Sequence, residues 1–498
     1  MAGAGDHRQA YDLLARGDVE GALRLTAALL AQPVPTAGAY AARAAVLKAA
    51  GRPQEALKVN REAVARYPQS GATWHNLAAT LGDLGHADEA ARAARQAIGL
   101  GIAAPETRLV LARALQAEQQ FDEAEQAFAE ALRLRPDYVD ANNELAQLMW
   151  MRTGDRDTAL KPLERAVASA PGHPGLAYAL AMAQEFTGQK EAARATAEQA
   201  LARSPQDRRL LSLAVELSCK LGDAAAAVRW AAQAQGEGPV AKALQAQAQL
   251  AAGDGFAAAA AAEAAVRQQP TDQYSIALLA TAWRMTGDPR YREVYAYDRL
   301  VAAYDIVDPD TADGAAFLEA LRGSLRKLHR YTTHPFGQSV RQGSQATLRL
   351  DGTHEPPIER LLGLLREAVD RRAREVGSGP GMFERRNTGS AEFSGAWSIR
   401  LMGAQGHHAD HIHPMGWISS AFYVSVPDDV RDETARPGWI KFGEPGVATA
   451  QPMAAERFVQ PRPGRLVLFP SYMWHGTVPY ASAAERMTVA FDALPRPA

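Results

Sequence analysis

The sequence predicts a multidomain α + β protein: a long helical-repeat region followed by a β-rich domain built as a sandwich or barrel. Three observations predict it. Up to about residue 285 the chain is crowded with Ala, Leu, Glu, Gln and Arg, all good helix formers. Beyond about residue 330, Gly, Pro, aromatic and β-branched residues gather in short runs. Within the first region one short motif returns at a nearly fixed period.

The motif is Gly or Gln, a short polar turn, then Ala. GDVEGA, GRPQEA, GHADEA, QQFDEA, GDRDTA, GQKEAA and GDAAAA place that Ala at positions 22, 56, 90, 124, 159, 193 and 227, spacings of 34, 34, 34, 35, 34 and 34. Weaker copies follow at GDGFAA and GDPRYR. Gly ends one helix because it alone enters the left-handed conformation without strain. The small Ala lets a second helix approach the first. Pro68, Pro136, Pro171, Pro205 and Pro270 then stop that second helix. A helix pair cannot bury its apolar face alone, so successive pairs are expected to stack into a solenoid. These units resemble the tetratricopeptide repeat over residues 7–306. The resemblance implies an N-terminal α-solenoid with a concave surface suited to a peptide or protein partner. Residues 307–329 read as a helical connector, and Tyr295, Tyr297 and Tyr304 as aromatics that seal the solenoid's end.

The region 330–498 contains seven candidate strands: QATLRL, AWSIRLM, WISSAFYVSV, GWIKFG, RFVQP, GRLVLF and RMTVAF, punctuated by Gly, Pro and Asp. One amphipathic stretch, IERLLGLLREAVDRRARE, reads as a helix. Many short strands with turn signals point to a sandwich or barrel. Its chemistry concentrates in GHHADHIHPMGWISSAFYVSVP. Side chains of an extended segment alternate faces, so His411 and His413 share one face and His408 and Asp410 the other. Only one pair can look inward. His475, just past the strand GRLVLF, can supply a third ligand. Eleven residues later, Arg486 begins RMTVAFD, where Arg486, Thr488 and Ala490 share a face. A cation followed by two small side chains leaves room for an anion, and a guanidinium grips a carboxylate through two parallel hydrogen bonds.

The segments HIHPMGWISSAFYVSVP, GWIKFGEP and PGRLVLFPSYMWHGTVPY…ERMTVAFD resemble the 2-oxoglutarate- and Fe(II)-dependent oxygenase domain found fused to tetratricopeptide repeats in bacteria. HPFGQSVRQGSQAT, from His334, resembles that domain's opening. The resemblance implies a double-stranded β-helix barrel of the jelly-roll or cupin-like kind. It implies His411, His413 and His475 as iron ligands and Arg486 as the partner of the far carboxylate of 2-oxoglutarate. The alternative first pair, His408 and Asp410, fits the two-histidine-one-carboxylate pattern common in the wider superfamily. A third arrangement makes Asp410 an acceptor that orients a ligand imidazole. Arg400, Ser419 and Ser420 stand where polar groups can reach the cosubstrate or substrate. Trp397, Trp417 and Tyr423 read as core or pocket wall.

What these implications amount to is an enzyme using Fe(II), 2-oxoglutarate and O2 to hydroxylate a peptide or protein held by the repeats. An iron held by three imidazoles lacks the negative charge of a carboxylate ligand, so the cosubstrate dianion would balance the metal. Two other readings stay open: a non-catalytic repeat scaffold with a degenerate barrel, and an oxygenase for a small molecule. The net charge of −2 gives no basic excess for a nucleic-acid partner. No uncharged apolar run is long enough for a bilayer. Cys219 is the one cysteine, and Met1–Asp18 lacks a signal-peptide pattern. The expectation is a cytoplasmic protein.

Overall fold

The computed structural model describes residues 6–234, 236–350, 354–403 and 406–497. They fall into two compact units, Met1–Met149 with Lys161–Ala170, and Trp150–Leu160 with Pro171–Ala498. No helix among the described residues is long and apolar enough to cross a membrane.

In the first unit, antiparallel helix pairs run from Asp6–Ala15 through Phe121–Leu134. Each junction is built as the motif predicts. Gly17, Gly51 and Gly85 take φ of +79°, +71° and +74°. At Gly51 the helix closes with Gly51 N–H donating to Lys48 O and Arg52 N–H to Leu47 O, at 3.0 and 2.8 Å, the paired bonds of a left-handed C-terminus. The residue after the glycine can then cap the next helix: the Asp18 carboxylate accepts from Gly21 N–H at 2.8 Å. Ala22, Ala56, Ala90 and Ala124 are all fully buried. The fourth junction departs in one respect, since Gln119 occupies the glycine's place at φ +60°.

The second unit continues the pattern with helices from Pro174–Phe186 to Gln273–Thr286. Ala193, Ala227 and Ala258 are fully buried, and Asp223 and Asp254 cap as Asp18 does. The chain then enters an antiparallel β-domain. Its strands are β1 (Ala302–Asp305), β2 (Val340–Arg341), β3 (Gly343–Leu348), β4 (Ala391–Leu401), β5 (His407–His408), β6 (Ile418–Ser425), β7 (Ile440–Phe442), β8 (Arg457–Val459), β9 (Arg465–Pro470), β10 (His475–Thr477) and β11 (Arg486–Pro495). Every strand expected from sequence forms, and IERLLGLLREAVDRRARE lies in the helix Pro356–Val376. The strands not anticipated, β1, β2, β5 and β10, have four residues or fewer. Such short runs carry no periodicity.

A large sheet has the order β1-β9-β6-β11-β4-β3. Smaller sheets, β10-β7-β8 and β2-β5, are joined by a bridge between His411 and His475. This is the two-sheet arrangement of a jelly roll. Among the described residues the sheets keep separate hydrogen-bond ladders, so the expected barrel is not closed. Phe442 of the small sheet meets Phe469 of the large one edge-on, with ring centroids 5.1 Å apart. The helices Ala312–Arg326 and Pro356–Val376 share a continuous apolar core with the sheet and with Ile276, Leu279 and Trp283 of the last repeat helix. The three tyrosines expected to seal the solenoid lie at this join. Tyr295 Oη receives Trp474 N–H at 3.0 Å, while Tyr297 and Tyr304 donate to Glu456 and Glu375.

Candidate metal centre

The central strands of the large sheet set one wall. Side chains of Arg486, Thr488, Ala490 and Asp492 fall on one face of β11. Directly paired residues share that face: Leu401, Ile399 and Trp397 on β4, and Tyr423 and Ser419 on β6. The small sheets set the opposite wall. His411 and His475 exchange backbone hydrogen bonds at 2.9 and 3.1 Å, and His413 N–H donates to Ser471 O at 3.0 Å. These ties bring three histidines from two segments together. Candidate ligand atoms of His411, His413 and His475 lie within 4.8 Å of one another.

Their outer nitrogens fix the tautomers. His411 Nδ1–H donates to Ala409 O at 2.8 Å, and His475 Nδ1–H to Met473 O at 2.9 Å. His413 Nδ1–H donates to the Asp492 carboxylate at 2.6 Å. A neutral imidazole that donates from Nδ1 presents a bare lone pair at Nε2. The Nε2 atoms of His411 and His413 stand 3.2 Å apart, close enough for both to reach one cation. Burial pushes His411 down to about 3 and His475 well below its ordinary value, so both stay neutral as metal ligation requires. The donor set therefore fits a divalent transition metal of the kind that takes imidazole ligands. Asp492 adds a negative charge one ring away from it.

Arg486 is buried, 2% exposed, on the same face. Its Nε and Nη1 have no hydrogen-bond partner among the described residues, nor have the hydroxyls of Tyr423 and Tyr480. The guanidinium carbon lies 5.2 Å from the Tyr423 ring centroid. Two carboxylates of this domain are engaged elsewhere: Glu444 binds Lys441, and Asp492 binds His413. Buried guanidinium nitrogens without a partner are a costly arrangement that an anionic ligand would satisfy.

His408 and Asp410 are not brought together as a ligand pair. Asp410 turns to the other side of its segment and accepts from Lys441 Nζ at 2.9 Å. Burial raises its pKa against the pull of Lys441. His408 Nδ1 meets Ser339 Oγ at 3.0 Å. The role of carboxylate acceptor, offered to Asp410 by sequence, is filled by Asp492. Arg400 and Ser420 do not reach the cluster. Arg400 alternates to the far face of β4 and pairs with Glu485 at 2.6 Å. Ser420 Oγ is spent on the backbone of Phe491, accepting at 2.7 Å and donating at 2.9 Å. Ser419 does face inward, donating to Asp492 at 2.7 Å. Trp397 stands edge-on to His413, and Trp417 packs on Phe383 in the core.

Sequence reading missed Asp492 as a histidine partner, although strand alternation from Arg486 places it on the correct face. It also gives no role to Ser339, although the motif HPFGQSVRQGSQAT contains it.

Residues 395–492 match a family described as "Putative 2OG-Fe(II) oxygenase". Residues 37–80, 109–174 and 151–217 match three families each described as tetratricopeptide repeat. The chain thus carries tetratricopeptide repeats followed by a domain of the 2-oxoglutarate/Fe(II) oxygenase kind. No curated protein matches it. Solved structures similar to it include a tetratricopeptide repeat protein from Parabacteroides merdae, at 17% identity over 55% of this chain and 96% of that one, TM-score 0.37. The C-terminal part of a repeat protein from Cytophaga hutchinsonii shares 15% identity over 47% and 98%, TM-score 0.37. MamA from Desulfovibrio magneticus shares 18% over 34% and 98%, TM-score 0.30.

Proposed function

We propose that this chain is a 2-oxoglutarate- and Fe(II)-dependent dioxygenase that hydroxylates a peptide or protein. His411, His413 and His475 would hold the metal, and Arg486 the far carboxylate of 2-oxoglutarate. One observation carries the reading: the imidazole nitrogens of three histidines converge, and a buried guanidinium on the facing strand β11 has two nitrogens without a partner among the described residues. When bound, iron and the keto acid supply O2 activation coupled to decarboxylation, with succinate and CO2 as products.

The chain's own residues then have definite tasks. Ala409 O, Met473 O and Asp492 keep the three imidazoles in one tautomer and orientation. Asp492 offsets part of the charge that an all-histidine site leaves on the metal. Arg486, with the Tyr423 and Tyr480 hydroxyls in its neighbourhood, would fix a dicarboxylate by its distant end. Ala490, Val340, Ile399, Leu401 and Trp397 form an apolar cluster that restricts water. The repeats support a macromolecular substrate, since a small metabolite requires no extended helical surface.

The test is anaerobic addition of Fe(II) and 2-oxoglutarate, followed by turnover in air. The reading expects a weak visible charge-transfer band, and succinate release that a candidate peptide stimulates and free amino acids do not. Absence of the band contradicts the oxygenase reading. A band with stimulation by a small molecule alone contradicts the peptide substrate.

A further inference from the structure

The segment Thr332–Ser339 links two places. At its start, Thr332 N–H donates to Met151 O at 2.8 Å and its hydroxyl to Arg152 O. Trp150 Nε1–H donates to His334 O at 3.0 Å. The Phe336 ring stacks with Trp150 and with Phe186, at centroid distances of 6.5 and 6.3 Å. These are repeat residues. At its end, Ser339 O receives Ala409 N–H at 2.9 Å, beside the β2–β5 pairing. Ser339 Oγ there lies 3.2 Å from His411 Nε2 and 3.0 Å from His408 Nδ1.

The hydrogen-bond roles follow from the tautomers. His411 Nε2 carries no proton, because Nδ1–H is given to Ala409 O. The Ser339 hydroxyl therefore donates to His411 Nε2. Its own lone pairs are left to accept from His408, so His408 carries its proton on Nδ1. The His408 and His411 rings lie nearly parallel, 20° apart with centroids at 6.0 Å, which holds this triangle. With a metal held by the three histidines, the His411 Nε2 lone pair would be engaged, and the Ser339 O–H would be left without its acceptor while the hydroxyl oxygen stays next to His408 and the backbone stays tied by the strand pairing.

We propose that Ser339 is a binding residue for the cosubstrate at this centre, donating its hydroxyl proton to an oxygen of the keto-acid end of 2-oxoglutarate. His408 is the positioning residue that aims that hydroxyl. The inference rests on the oxygenase reading above. It gives His408 a function other than metal ligation and places a segment clamped by the repeats against the bound cosubstrate.

The experiment uses the full chain under anaerobic conditions. Fe(II) is titrated first and 2-oxoglutarate second, with the visible band recorded for the wild type, Ser339→Ala, Ser339→Thr and His408→Ala. The proposal expects Ser339→Ala to weaken 2-oxoglutarate about tenfold and to shift the band, with Fe(II) affinity changed by no more than about twofold. Ser339→Thr, which keeps the hydroxyl, restores both. His408→Ala moves the band in the same direction by less. If Ser339→Ala binds 2-oxoglutarate with wild-type affinity and an unshifted band, the proposal is overturned while the oxygenase reading stands. If Ser339→Ala loses Fe(II) and Ser339→Thr does not recover it, Ser339 is structural and the proposal again falls. A wild-type protein with no band removes the underlying reading itself.

Discussion

The carboxylate of Asp492 accepts the Nδ1–H of His413 at 2.6 Å, and both groups are largely shielded from solvent. The same oxygen also receives the Ser419 hydroxyl at 2.7 Å, so its position is fixed from two sides. A hydrogen-bonded carboxylate raises the basicity of the ligand imidazole and locks its orientation. Asp492→Asn keeps an acceptor of the same shape and removes the charge. Its Fe(II) affinity should drop by roughly 10–100-fold, as read by anaerobic titration. Wild-type affinity in this variant would show that the carboxylate does not support the metal.

Arg486 makes a separate prediction. Its Nε and Nη1 lack partners among the described residues, so a ligand that pairs with them should stabilise the fold by mass action. In the presence of Fe(II), 2-oxoglutarate should raise the thermal midpoint of the wild type. Arg486→Met should abolish that rise and leave Fe(II) binding within a few-fold. Thermal melts with and without 2-oxoglutarate read both. A ligand-induced rise that survives in Arg486→Met would place the carboxylate elsewhere.

His329 should give the chain a pH dependence away from the candidate metal centre. Its Nδ1 and Nε2 meet the Ser344 and Ser398 hydroxyls at 2.8 and 2.9 Å. Burial, aided by nearby Arg400, pushes it down to about 4. The unfolded chain titrates near the ordinary histidine value of about 6.5, so between those pH values the unfolded state binds the extra proton. Stability from this group is therefore complete above about pH 6.5 and is lost as pH falls toward 4, by roughly 3 kcal/mol in all. Denaturant unfolding at pH 7.5 and 4.5 should show a smaller acid loss in His329→Gln than in the wild type. Equal losses would mean that His329 does not titrate on unfolding.

Gln119 sits at φ +60°, where the equivalent places in other repeats hold Gly. A residue with a Cβ is strained there. Gln119→Gly should stabilise the protein by about 0.5–1 kcal/mol, seen as a higher denaturant midpoint. A loss of stability would mean that the Gln side chain makes a compensating contact.

The repeat was legible because its physics is local. A turn residue, usually Gly, and a small Ala recur at the period of a helix pair, with a capping Asp at some junctions such as Asp18, Asp223 and Asp254, and each performs the task that its chemistry suggests. The longer strands were legible through alternation and turn residues. β1, β2, β5 and β10 were not, because two to four residues are too few for a pattern. In the candidate metal centre, sequence order singles out His411, His413, His475 and Arg486 but leaves His408 and Asp410 as rivals. Strand parity alone says only that the two pairs face opposite ways. The choice of inward face is made by the bridge from His411 to His475 and by Lys441, which draws Asp410 to the other side. Arg400 pairs instead with Glu485, and the Ser420 hydroxyl with the Phe491 backbone, because sequence does not say which face of β4 and β6 is turned toward the histidines.

An anomalous-difference map at the iron edge, from crystals soaked with Fe(II) without oxygen, tests the central claim most directly. The account predicts one peak ligated by the Nε2 atoms of His411, His413 and His475, on the side of the site that Arg486 faces. A peak on His408 and Asp410, or none near His475, would contradict it.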